Sequence, residues 1–416
     1  MAEFSRVAPP TSWAALLLPV LMLSLTEITA RSVWQYGWGG LAAPAGALLA
    51  LVLASTGVLP HMDRAHAHSL AHWLSQRSYM ILRRPLALLV LGVDITVLSL
   101  LVQATTGLVA APSGGDATWS LAAVLLVLAL VFALPQPGAA RYRSMIGLLL
   151  IAGAIGLSSA GVWLGIDSSI DWATLRARTP EMFDSLWMLL SFMLASLTIP
   201  ALYRRGTNGA RGAWALLAAG VALTALCAYM AMAGIAGADP VYLRSAPALL
   251  QGLQGQTLAR PLYAAVLAAT VVGLGAAACV MLESIAQTLL DDLLRMPHRP
   301  QAEYLPRALV ATGAILLAQL IATGDSGIAR VAIGLSSFGA ATMAVPILYA
   351  TRRAATPLVL VLAGLIAAVV WVAAVVQQSP GDPALWAAGA AAIYVSLDGL
   401  SRRLRPARLS KIQGLP

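Results

Sequence analysis

Residues 85–111 read PLALLVLGVDITVLSLLVQATTGLVAA, an apolar stretch with one charged side chain, Asp94, well inside it. About 20 consecutive apolar residues are enough for a helix to cross a bilayer, and blocks of this length recur along the chain. The whole sequence is 59% hydrophobic and 10% charged, with a mean hydropathy of +0.81. Soluble domains have about 45–50% apolar and about 25% charged residues. The sequence therefore predicts an all-α polytopic membrane protein.

Apolar windows between charged and turn residues predict about twelve transmembrane helices in a single domain, residues 1–399, followed by a basic cytoplasmic tail, 400–416. The predicted helices are 12–30, 40–60, 85–111, 118–134, 144–165, 185–203, 212–235, 261–290, 306–323, 328–350, 355–377 and 384–399.

The basic residues alternate between the two sides of these helices. Cytoplasmic loops are enriched in Arg and Lys, and only six of the 26 basic residues fall on the opposite side: Arg31, Arg176, Arg178, Arg244, Arg260 and Arg330. We therefore expect a bacterial-type inner membrane protein with both termini in the cytoplasm. The net charge of +9 follows from these loops. It does not indicate nucleic acid as a partner, because no long basic run has interleaved aromatic residues.

Several function classes are excluded by missing motifs. The chain has no GxxxxGK[ST] phosphate loop and no HExxH zinc motif, and no predicted helix carries a His pair that could bind haem. We predict no enzyme activity, no catalytic residue and no cofactor. Buried polar groups and Gly or Pro interruptions in twelve helices favour a transporter.

Four segments resemble the sodium/solute symporter family, nearest its monocarboxylate branch and the related sensor-kinase membrane modules. They are 68–108 (HSLAHWLSQRSYMILRRPLALLVLGVDITVLSLLVQATTGL), 192–220 (FMLASLTIPALYRRGTNGARGAWALLAAG), 283–315 (ESIAQTLLDDLLRMPHRPQAEYLPRALVATGAI) and 336–371 (SSFGAATMAVPILYATRRAATPLVLVLAGLIAAVVW). The resemblance implies a LeuT-like fold with two inverted five-helix repeats plus two C-terminal helices. It also implies that helices 1 and 6 are broken near the midplane.

In that family, a Ser-Thr-x-Asp-Ser stretch supplies hydroxyl ligands to a sodium ion. The Ser and Thr positions are held here by Val280 and Met281, which lack the oxygen ligands that a hard cation requires. Glu283 takes the Asp position, and Ser284 keeps the final Ser. The resemblance therefore implies a sodium site that is absent or rebuilt, and the coupling ion is either Na⁺ or H⁺.

Carboxylates inside apolar helices are the main site candidates, since each costs about 2.5–3.5 kcal/mol at the centre of a membrane helix. Glu283 binds a proton or cation, pairs with an arginine, or reaches water at the cytoplasmic end. Glu27 binds an ion or solute, or pairs with Arg31 one turn on. The candidates for substrate or ion binding are Ser24, Thr26, Glu27, Asp94, Gln103, Ser196, Glu283, Ser284 and Gln287. Asp398 is predicted to pair with the arginines of the following GLSRR.

His68 and His72 are spaced i, i+4, which could place both on one helix face as metal ligands. They are weak candidates, because histidines in a cytoplasmic loop are more often solvated, and no metal site is predicted.

The leading hypothesis is a secondary active transporter that moves a small organic solute by alternating access, with its site between helices 1, 3, 6 and 8. Its partners would be the lipid bilayer and the solute. The alternative is a non-transporting sensor, or an accessory subunit with a protein partner, and it follows from the missing sodium-site hydroxyls.

Overall fold

The computed structural model describes residues 37–67, 69–110, 182–203, 281–282, 284–286, 288–294, 304–323, 326–352, 355–379 and 382–412. All secondary-structure elements in these ranges are helical, so the all-α prediction is confirmed. The predicted helices 12–30, 118–134, 144–165 and 212–235 lie outside the described residues, as does most of 261–290.

The first described span, Gly39–Arg64, is long and apolar enough to cross a membrane. It comprises a 3₁₀ turn (Gly37–Leu41), α1 (Ala42–Leu53), a π-helical segment (Ala54–Val58) and α2 (Leu59–Arg64).

The remaining elements are given in chain order. They are α3 (Leu70–Arg77), a 3₁₀ turn (Met80–Leu82), α4 (Arg83–Ala110), α5 (Met182–Leu197), a 3₁₀ turn (Pro200–Tyr203), a π-helix (Thr288–Leu294), α6 (Tyr304–Thr323), α7 (Ser326–Ala350), α8 (Pro357–Val376) and α9 (Pro383–Ile412). In α8 and in the Pro383–Arg402 part of α9, length and hydropathy are again sufficient to span a membrane.

Two helix ends differ from the prediction. The helix predicted over 185–203 ends at Leu197, because Pro200 has no N–H to donate and disfavours helical backbone in the residue before it. The hydroxyl of buried Tyr203 donates to the Leu197 carbonyl at 2.6 Å and so satisfies one free group of the helix end.

The last helix, predicted to end at 399, continues to Ile412. The prediction placed the boundary at the first arginines of the tail. Arginine is, however, a good helix former, and positive charge is favourable near a helix C-terminus.

Helices α4 and α7 lie at the centre of the described residues. α4 packs against α3, α6, α7 and the π-helix, and α7 also packs against α8 and α9. Glycines allow α4 and α7 to approach closely, since an added Cβ would lie 2.6 Å from Leu335 Cδ2 at Gly92 and 2.8 Å from Val93 Cγ2 at Gly339. Small residues at such crossings are typical of membrane helix packing.

Aromatic contacts add to the packing of the outer helices α5, α8 and α9. The Trp371 indole donates to Ser337 Oγ at 3.1 Å, and its ring meets Phe338 edge to face, linking α8 to α7. Trp187 and Trp386 link α5 to α9 in the same geometry.

Candidate functional site

A buried carboxylate and a hydroxyl meet between α4 and the helical residues that precede the π-helix. Asp94 on α4 is 0% exposed and Ser284 is 3% exposed. The Ser284 hydroxyl donates to Asp94 Oδ2 at 2.7 Å, across 190 positions of sequence. Of the predicted candidates that lie in the described residues, these are the two that the structure brings together.

Two other buried hydroxyls of α4 donate within their own helix. Thr96 donates to the Gly92 carbonyl at 2.9 Å, and Ser99 donates to the Thr96 carbonyl at 2.7 Å. Such bonds to the preceding turn satisfy a hydroxyl inside an apolar helix. The hydrogen bond from Ser284 is different, because it joins a residue of one helical segment to the carboxylate of another.

The positions of the remaining candidates are as follows. Ser196 is buried near the end of α5, and α5 packs mainly against α1. The backbone of Gln103 lies in α4. Ser24, Thr26, Glu27, Glu283 and Gln287 lie outside the described residues. The predicted roles of Glu27 and Glu283 therefore stay predictions.

His72 lies on α3, and its Nε2 is 3.1 Å from Gln76 Nε2, while His68 lies outside the described residues. No group of three or more His, Cys, Asp or Glu side chains that could hold a metal occurs in the described part of the chain.

A second buried carboxylate, Asp292, was not predicted as a site residue. It lies on the π-helix and is 0% exposed. The Arg83 guanidinium contacts Asp292 Oδ1 through Nε at 2.9 Å and through a terminal nitrogen at 2.8 Å. The Ser69 hydroxyl, whose oxygen also caps α3, donates to Asp292 Oδ2 at 2.6 Å. The paired acids in the apolar TLLDDLL (288–294) were the sequence signal for this cluster.

The prediction for Asp398 is confirmed. Its Oδ2 lies 2.9 Å from Arg402 Nε, one helical turn on. A terminal nitrogen of Arg402 also donates to Thr356 Oγ1 at 2.5 Å, and the Tyr349 hydroxyl donates to Asp398 Oδ2 at 3.4 Å. These contacts join α9 to α7 and to the start of α8.

Comparison with known proteins gives a match in structure but not in sequence. No family model matches the chain, and no curated protein does. The solved structure of a substrate-bound, outward-open Na⁺-coupled sialic acid symporter superposes with a TM-score of 0.74, at 14% identity, covering 94% of this chain and 89% of the symporter.

The chain has the fold of a membrane transporter.

A manganese transporter of Eremococcus coleocola, solved in complex with an aromatic bis-isothiourea substituted compound, is also similar. Its TM-score is 0.55 at 12% identity, over 93% of this chain and 92% of that protein. Both neighbours are transporters, the class of protein that the sequence predicts. At these identities the likeness establishes the fold alone. Among the described residues, the Asp94–Ser284 pair is the feature from which ion or proton binding can be argued.

Proposed function

We propose that the protein is a secondary active transporter of the sodium/solute symporter type, which moves a small organic solute across the inner membrane by alternating access. The fold supports this proposal, since the solved structures that it resembles are those of transporters.

The buried Asp94–Ser284 pair is the observation that carries the proposal. A charged carboxylate inside a membrane domain is costly and commonly marks an ion or proton pathway. Here the carboxylate receives a charge-assisted hydrogen bond from a second helix. Protonation of Asp94 would remove the negative charge that accepts this bond from Ser284. The hydrogen bond that joins the two helices would therefore become weaker.

We propose H⁺ rather than Na⁺ as the coupling ion. A desolvated hard cation needs several oxygen ligands, and the two positions that carry hydroxyls in the family hold Val280 and Met281 here. Among the described residues, the pair supplies a carboxylate and one hydroxyl. A proton requires only a single carboxylate oxygen, which Asp94 provides.

The test is uptake by proteoliposomes of radiolabelled organic acids and amino acids under an imposed pH gradient or a sodium gradient. We expect accumulation of at least one solute under the pH gradient alone. The Asp94→Asn variant should lose accumulation but still exchange labelled for unlabelled solute, since the amide keeps the shape of the side chain and cannot take up a proton. Accumulation that follows only the sodium gradient would refute proton coupling.

Two further variants test whether coupled uptake depends on the hydrogen bond between Ser284 and Asp94. Ser284→Ala removes a hydrogen bond to a charged group, worth about 1.5–3 kcal/mol, and should reduce coupled uptake by about tenfold or more. Ser99→Ala is the matched control, because its hydroxyl bonds only within α4 in the contacts described above. If both variants were equally impaired, the Asp94–Ser284 pair would have no special role.

The alternative function, a sensor or accessory subunit, is favoured by the absence of hydroxyls at Val280 and Met281. It predicts saturable solute binding to the purified protein without accumulation or exchange under either gradient. That outcome would replace the transport proposal.

A further inference from the structure

An apolar groove of about 230 Å³ lies between α4 and α8, and α7 forms part of its wall. This volume exceeds the roughly 150 Å³ of an engineered apolar cavity that binds benzene. The groove is lined almost entirely by aliphatic side chains, among them Leu86, Leu89, Leu360 and Leu365. It is distinct from the Asp94–Ser284 pair, neither member of which lines it.

Among the described lining residues, the two hydroxyl side chains already donate to backbone: Ser78 to the Leu74 carbonyl at 2.7 Å, and Thr342 to the Phe338 carbonyl at 2.8 Å. A polar solute would lose its hydration here and regain little of it. The lining therefore favours a hydrocarbon occupant.

The length of the groove matches one leaflet of a bilayer. Its lining runs from Leu360 to Ala368 on α8 and from Pro346 to Phe338 on α7, which is about 12 Å on each helix at about 1.5 Å per residue. Half of a hydrocarbon core of about 30 Å is about 15 Å. The lining begins at Ser78, Leu82 and Pro85, on the side that the charge distribution assigns to the cytoplasm.

Positive charge lies beside that same end. Arg77 directly precedes Ser78, and exposed Arg84 directly precedes Pro85. Arg83, between them, is bound to Asp292. Arg77 and Arg84 are therefore the other two arginines next in sequence to the lining residues at this end. Basic side chains next to grooves between membrane helices on the cytoplasmic side bind anionic lipid headgroups.

We propose that this groove binds an anionic phospholipid of the cytoplasmic leaflet, with one acyl chain along α4, α7 and α8 and the headgroup at Arg77 and Arg84. The proposal does not depend on transport, since it concerns a different part of the molecule.

The test is native mass spectrometry of the full chain released from nanodiscs containing equal amounts of phosphatidylglycerol and phosphatidylcholine with identical acyl chains. The wild type should retain one phosphatidylglycerol in preference to phosphatidylcholine. Gly364→Leu fills the groove, and a Cβ at Gly364 has ordinary spacing, 3.5 Å from the Thr342 carbonyl oxygen. It should lower retention of both lipids by about tenfold, since loss of two buried methylenes already has an effect of this size.

Two controls separate the groove from the headgroup site. Gly313→Leu introduces the same side chain on α6, where a Cβ meets nothing within 4 Å, and should retain lipid as the wild type does. Arg77→Gln with Arg84→Gln should abolish the preference for phosphatidylglycerol but keep a bound lipid. Ala368→Leu is a second groove-filling variant, in case Gly364→Leu does not fold.

Three outcomes would overturn the proposal. In the first, Gly364→Leu and Ala368→Leu retain as much phosphatidylglycerol as Gly313→Leu. In the second, the wild type shows no preference for the anionic lipid. In the third, the wild type is a dimer that the groove-filling variants convert to a monomer, which would assign the groove to a second copy of the chain.

Discussion

At the scale of single residues, the buried carboxylates of Asp94 and Asp292 have different environments. Asp292 receives two contacts from the Arg83 guanidinium and one from Ser69, so a full positive charge balances it. At Asp94, the hydrogen bond between described side chains comes from the Ser284 hydroxyl on a second helix. An ion pair such as that of Asp292 holds structural elements in place, and under the proposed function Asp94 is the carboxylate that changes its charge.

We expect Asp292→Ala to lower the free energy of unfolding by about 3–5 kcal/mol, because it leaves the Arg83 cation largely buried without its carboxylate partner. Thermal unfolding of the purified protein in detergent measures the effect. Asp398→Ala is the matched control. It breaks an ion pair whose side chains are 34% and 20% exposed, and such pairs are worth only about 0–1 kcal/mol. Equal destabilisation by both variants would contradict the structural role of Asp292.

These residues also show what sequence can predict. The apolar run around Asp94 sufficed to place it inside a helix, and the spacing of Asp398 and Arg402 sufficed to predict their pair. The bonds of Ser284 to Asp94 and of Arg83 to Asp292 join positions that are 190 and 209 residues apart. Periodicity says nothing about which distant helices meet, so the sequence did not identify Asp292 as a site residue.

At the scale of helices, the contact between α1 and α5 depends on one missing side chain. A Cβ at Gly46 would overlap the Leu189 carbonyl oxygen and lie 3.0 Å from the Met193 amide nitrogen. Both atoms belong to the backbone of α5, which cannot move aside as a flexible side chain can. The close approach of the two helices therefore requires glycine at this position.

Gly46→Ala should destabilise the protein by about 1–3 kcal/mol or more, the range seen when atoms are forced into a packed interior. Gly57→Ala, in the same membrane span, is the control, since a Cβ there meets nothing within 4 Å. The control should be neutral or slightly stabilising, because alanine is favoured over glycine inside helices by about 0.5–1 kcal/mol. The midpoint of thermal unfolding should be lower for Gly46→Ala than for Gly57→Ala. Equal midpoints would show that α1 and α5 can move apart without loss of stability.

Helix positions were more predictable than helix ends. Hydropathy located α4, α6, α7 and α8 within a few residues, because burial in hydrocarbon determines where such segments begin and end. Hydropathy did not predict the helix ends that depend on other interactions. The end of α5 depends on Pro200 and on the Tyr203 hydroxyl, and the extension of α9 depends on the helix propensity of a basic segment.

At the scale of the whole molecule, polar chemistry in the described residues divides into two regions. The Asp292–Arg83–Ser69 cluster and the Asp398–Arg402 pair lie close in sequence to the arginine-rich loops, whereas Asp94 lies well inside α4. Under the proposed function, the ion pairs hold helices together while the carboxylate of Asp94 binds and releases a proton.

The division assumes that the arginine-rich side faces the cytoplasm, which predicts the orientation of the last two helices. Arg352 and Arg353 precede α8, and Arg402, Arg403, Arg405, Arg408 and Lys411 follow the apolar part of α9, whereas residues 377–382 between them contain no basic residue. Because basic loops remain cytoplasmic, a phosphatase reporter fused after residue 380 should be active, and one fused after residue 416 inactive. A fluorescent protein that folds only in the cytoplasm should give the opposite result at each site. If the reporters were reversed, the phospholipid groove would open to the outer leaflet, and the Asp292 cluster would lie on the side from which solute enters.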